Sequence, residues 1–129
     1  MGFTQIPAGA SAAPSPSFIP SPAVPAGLTL RQTYTSSQTG LTWPVDWVYV
    51  VAAAGGGSGA LTINVQSVGG GSGACFQGWM RASDLTALTI GAGGASVSGG
   101  SALGNNGGTT IVGPVRAPGG TGGGVRSGT

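Results

Sequence analysis

The chain has 129 residues, of which 28 are glycine and 9 proline, and its only ionisable side chains of fixed charge are four arginines and two aspartates. The absence of His, Glu and Lys removes zinc sites, a Ser–His pair and paired glutamates, and the scattered Arg31, Arg81, Arg116 and Arg126 make no phosphate-binding run. Such glycine and proline content usually means disorder, yet the high charge and low hydropathy that keep disordered chains expanded are missing, so backbone hydrogen bonds and partners must hold the chain.

Residues 1–27 carry prolines every few positions in "PAGASAAPSPSFIPSPAVPAG". Proline lacks the amide donor and fixes φ, so this stretch is expected to be a polyproline-like extended arm, separate from a domain at 28–129. A plain linker would not carry Phe3, Ile6, Phe18, Ile19 and Val24, and these are the candidate anchors for an apolar groove on a neighbouring chain. The start of the chain lacks the basic and apolar blocks of a signal peptide, and no run of about 18 apolar residues is present to span a bilayer.

From residue 28 the spacing predicts strands. "LTLRQTYT" (28–35) alternates with period two, "TGLTW" follows, and Pro44–Asp46 forms a turn in which Asp46 bonds its own backbone. "WVYVV" (47–51) is a core strand by propensity. The pattern then repeats: a glycine run, a strand "LTINVQSV" (61–68), a glycine run and a strand "CFQGWMR" (75–81). A turn "ASDL" with Asp84 as its capping side chain comes next, then strands "TALTI" (86–90) and "TTIV" (109–112) about a long glycine segment. No Gly-X-Y period exists, which excludes collagen, and no helical pattern of useful length appears. The fold class expected is all-β, with short strands linked by packed glycine-rich segments.

Cys75 is alone and is expected to be a small buried residue. Phe76, Trp79 and Met80 are expected to form the local core; the alternative is that Trp79 and Arg81 form an exposed contact for a cell-surface glycan. Asp46 and Asp84, the only two carboxylate side chains, belong to turns, so no enzyme, cofactor or metal is expected.

Taken in order, "TWPVDWVYVV", "CFQGWMRASDL", "LTIGAGG", "NNGGTTIVG" and "APGG" resemble the glycine-rich module of bacteriophage tail-fibre and minor tail proteins, most closely those of actinobacterial phages. The matching positions are Trp43, Pro44, Val48, Val50, Gly78, Trp79, Asp84, Leu85, Gly91, Gly93, Gly94, Gly107, Gly108, Ala117, Gly119 and Gly120. Where the family often has Ser-Phe-Gly, this chain has Ile111-Val112-Gly113. The resemblance implies a virion structural protein, in the tail rather than on the capsid, that contacts other virion proteins and takes part in assembly and host attachment. A capsid fibre or decoration protein and a glycan-binding adhesin are the alternatives. A thin apolar core in the glycine-rich region further suggests a homotrimer whose copies share one interior.

Overall fold

A computed structural model describes residues 25–126; the candidate anchors Phe3, Ile6, Phe18, Ile19 and Val24 lie outside them. By its contacts the chain divides into two units, Met1–Arg31 and Gln32–Thr129. In the described part of the first, the Leu28 amide donates to the Pro25 carbonyl at 3.4 Å in a single turn.

The second unit is all-β. Strands β1 (Gln38–Thr39), β4 (Ala87–Thr89), β5 (Thr110–Val112) and β6 (Val115–Ala117) form one antiparallel sheet in the order β1-β4-β5-β6. Strands β2 (Trp47–Ala53) and β3 (Cys75–Arg81) form a second, two-stranded sheet, and a short 3-10 helix at Ala82–Asp84 follows β3. The inner face of β2–β3 meets the larger sheet around Met80, Leu85 and Val112, with Val48, Val50, Ala52, Phe76 and Val115 packed against them. That cluster is small. It does not explain the cohesion of the rest of the unit.

The glycine segments do. Past the sheets, β2, β3, β4, β5 and β6 each run into or out of a glycine-rich segment, at residues 54–61, 68–74, 91–95, 102–109 and 118–124 respectively. The hairpin registers continue unbroken into them: Ala53 pairs with Cys75 in the sheet, and the next amide, Ala54, donates to Ala74. Likewise Thr110 pairs with Ala117, and three residues further out Gly107 donates to Gly120.

Within the bundle the hydrogen bonds repeat every three residues. Amides 54, 57 and 60 of the first segment donate to the second segment, at Ala74, Gly71 and Val68, over 2.8–3.1 Å. Amides 55, 58 and 61 donate to the fourth, at Gly108, Asn105 and Ala102. The first segment also accepts from the third (Gly94 to Gly56) and the fifth (Gly120 to Gly55, Gly123 to Ser58). A β-strand offers its main chain in two directions, whereas a threefold extended helix of polyproline type offers it in three. The first segment can therefore be surrounded by the other four and bond to each, over a length of about 22 Å at ~3.1 Å per residue.

Why glycine is needed follows from the spacing. A Cβ placed on Gly57 would lie 2.0 Å from the Thr121 carbonyl oxygen, and on Gly107 2.0 Å from that of Gly55. None of the glycines in these five segments has positive φ, so the missing side chain, rather than backbone freedom, is what the bundle uses. Left-handed φ matters elsewhere: Gly113, at φ 55°, opens the two-residue turn between β5 and β6, where a Cβ would also be 2.6 Å from the Asp84 carbonyl oxygen.

Several sequence expectations are corrected. Residues 28–35 form no strand, and in "TGLTW" only Thr39 belongs to one. Residues 61–68 form a reversing loop with isolated bridges from Leu61 to Ala102 and from Ser67 to Val125, tied inside by the Thr62 hydroxyl donating to the Val65 carbonyl. Their β-propensity yields to the antiparallel register of the first two segments, which obliges the chain between them to turn back. Cys75 is exposed at the start of β3.

Candidate functional site

Strand alternation sends Val48, Val50, Ala52, Phe76 and Met80 inward and leaves Trp47, Tyr49, Val51, Trp79 and Arg81 on the outer face of the β2–β3 sheet. In register, Trp47 lies opposite Arg81 and Tyr49 opposite Trp79. The Arg81 guanidinium stands over the Trp47 ring at 5.4 Å, a cation–π contact. Tyr49 and Trp79 meet edge to face at 5.5 Å and 78°. Trp47 remains 53% exposed and Trp79 51%.

Of the four residues expected at a core or receptor, the structure thus separates two pairs. Met80 is core and Phe76 packs on it. Trp79 and Arg81 are outside, and the expectation that Trp79 is core is overturned. The physical reason is pleat: Gly78 and Met80 flank Trp79 in a regular strand, so when Met80 points in, Trp79 must point out.

Beside Trp47 an open hollow of about 570 Å³ is bounded by residues 41–47 on one wall and 81–86 on the other. Three hydrogen bonds clamp the walls together: Ala82 amide to Asp46 carbonyl at 2.9 Å, Leu41 amide to Thr86 carbonyl at 2.9 Å, and the Trp43 indole Nε1–H to Leu85 carbonyl at 2.8 Å. Trp43 is further held by Tyr34, edge to face at 6.4 Å. Trp43 and Leu85, far apart in sequence, are therefore one structural contact. Pro44 and Asp46 lie in a bend as expected, but the Asp46 and Asp84 carboxylates make no hydrogen bond among the described residues, so neither acts as a capping group. Gly78 lies against the Phe76 ring, 3.5 Å from where its Cβ would be.

At the opposite end of the bundle, Leu61, Ile63, Val65, Val68, Leu103 and Val125 are exposed around the two bridges that close it. The strand expected at 61–68 gives no hint of this apolar end. Its signal in the sequence was aliphatic residues placed between two glycine runs, where a hairpin must turn. Among the described residues no three His, Cys, Asp or Glu side chains come together, and no helix is long and apolar enough to cross a membrane. Set against protein-family models, curated proteins and solved structures, the chain matches none of them.

Proposed function

We propose that this chain is a structural component of a bacteriophage particle, a minor tail or tail-fibre protein that acts in assembly and host attachment. The observation that carries the reading is the five-segment glycine bundle. A particle appendage has to stay stiff with little apolar core and offer few open strand edges to stray pairing. Main-chain bonding in three directions meets both needs, and seven of the positions that resemble the tail module (Gly91, Gly93, Gly94, Gly107, Gly108, Gly119 and Gly120) belong to the bundle segments. In this reading residues 1–27 anchor the chain to other virion proteins and the glycine-rich unit faces outward. Association as a homotrimer belongs to the same reading, with the apolar end around Ile63 and Leu103 as surface it would cover.

A capsid fibre or decoration protein differs only in position, and one experiment decides between the two. Antibodies to the glycine-rich unit, visualised by immunogold on purified particles, should label the tail. Label on the capsid replaces tail with decoration, and no label on particles overturns the virion reading. Deleting residues 1–27 should leave the unit folded but missing from particles; normal incorporation would reduce the arm to a linker.

A further inference from the structure

We propose that the hollow beside Trp47, together with the Trp47–Tyr49–Trp79 face, is a binding site for a neutral saccharide. Two indoles left half exposed on one sheet face form a contiguous apolar surface of the kind that marks a contact site. What the neighbouring walls carry decides the occupant. Asp46 contributes a carboxylate, which only accepts hydrogen bonds, and Arg81 a guanidinium, which only donates. Neither is hydrogen-bonded among the described residues, and Thr42, Ser83 and Thr86 add hydroxyls that do both.

One negative and one positive group leave the site without net charge, which disfavours a phosphate or a polyanion. A ligand matching it needs vicinal groups that donate and accept, plus an apolar flat face to lie on an indole. A pyranose has both: paired hydroxyls for Asp46 and Arg81, and a face of C–H groups for Trp47 or Trp79. The volume of about 570 Å³ falls within the ordinary range for small-ligand sites. The site is also preorganised, because three hydrogen bonds fix the walls and Trp47 already holds the guanidinium in place.

The binding chemistry stands without the virion reading; only the choice of a host cell surface as the saccharide's source rests on it. The test is the shift of the Trp47 and Trp79 indole N–H resonances in the intact protein. The probes are maltotriose, cellotriose, mannotriose, galactotriose and triacetylchitotriose at millimolar concentration, polysaccharide from host cell walls, and polyphosphate as an anionic control. A saturable shift with at least one neutral sugar or the wall polysaccharide is expected, weakened ~tenfold or more, about 1.4 kcal/mol, by Trp47→Ala and by Asp46→Asn. Asp46 is exposed, so the melting temperature of Asp46→Asn should match that of the parent; Trp47 is only half exposed, so Trp47→Ala loses the packing of its covered ring face and its binding is read well below its own melting temperature. The proposal is overturned if no saccharide moves these resonances, or if polyphosphate alone does. It is equally overturned if the resonances follow protein concentration and Trp47→Ala converts a sedimenting dimer to monomer, which would give the face to a second copy. None of these results alters where the chain is found on particles, so failure here and failure of the virion reading are told apart.

Discussion

Alanine at Gly57 should destabilise the protein severely, whereas alanine at Gly69, in the neighbouring glycine run, should do the opposite. On Gly57 a methyl would lie 2.0 Å from the Thr121 carbonyl oxygen and 2.9 Å from the Gly122 amide nitrogen, whereas ordinary contact begins near 3.4 Å. The fifth segment would have to withdraw by more than an ångström. The Thr121 carbonyl accepts from Gly71 at 2.8 Å, and its neighbours Gly120 and Gly123 donate to the first segment at 2.9 and 2.8 Å, so withdrawal breaks at least one of these bonds. Overpacking costs about 1–3 kcal/mol and each lost hydrogen bond about 1, so that with one bond lost the total is about 2–4 kcal/mol. For a domain of this size that is a fall in melting temperature of about 10–30 °C. Gly69 has no atom within 4 Å of its added Cβ and no positive φ. There alanine reduces the freedom of the unfolded chain and should stabilise by about 0.4–1 kcal/mol, a rise of a few degrees. Thermal unfolding followed by circular dichroism reads both. Equal melting temperatures for the two variants would refute the close approach of the first and fifth segments.

Thr110, 1% exposed, accepts from the Gly91 amide at 3.0 Å and donates to the Ala53 carbonyl at 2.8 Å. Thr110→Val keeps the shape but strands both groups, and should cost about 1–3 kcal/mol in denaturant unfolding. Met80→Ala should cost about 2–5 kcal/mol by opening the core, measured the same way. Cys75, being exposed, should react completely with a thiol-specific chromogen in the folded protein, at a rate that denaturant raises little.

How much of this was legible in the sequence depended on whether a segment's structure is set locally. β2 and β3 were, because Trp, Val, Tyr and Phe give them high strand propensity and the strands pair with each other. The stretch 28–35 does alternate, but its alternate row continues from Leu28 and Leu30 to Gln32, Leu30 is 82% exposed, and among the described residues no strand pairs with it. β6 is hidden in the sequence because Pro114 precedes it, although proline just ahead of a strand is compatible with a hairpin when Gly113 supplies the turn.

The bundle itself leaves a trace in the sequence, although the chain has no collagen period. In "GGTGGG" (119–124) two tight glycines alternate with one open position, Thr121 and then Gly124, the period of a threefold helix with neighbours on two sides. In "GGGSGA" (55–60) the same period is hidden, since Gly56 is glycine without needing to be: a Cβ there would meet only the Gly71 oxygen, at 3.6 Å. The aromatic face could be narrowed to Trp79 and Arg81 from composition, but which side they took depended on pairing and on the inward turn of Met80. Trp47 as their partner could be found only from the register.

The bundle is held by main-chain hydrogen bonds with a period of three, and residue-resolved amide hydrogen exchange along 54–61 tests that most directly. Amides 54, 55, 57, 58, 60 and 61 each donate to a neighbouring segment, whereas 56 and 59 lie on the exposed side and donate to none of the described residues. The expected result is two slow amides, one fast, repeated along the segment, with 56 and 59 exchanging near the rate of an unfolded chain. Alternation of fast and slow every second residue would make this a β-strand, uniformly fast exchange would make it a loop, and either would contradict the account.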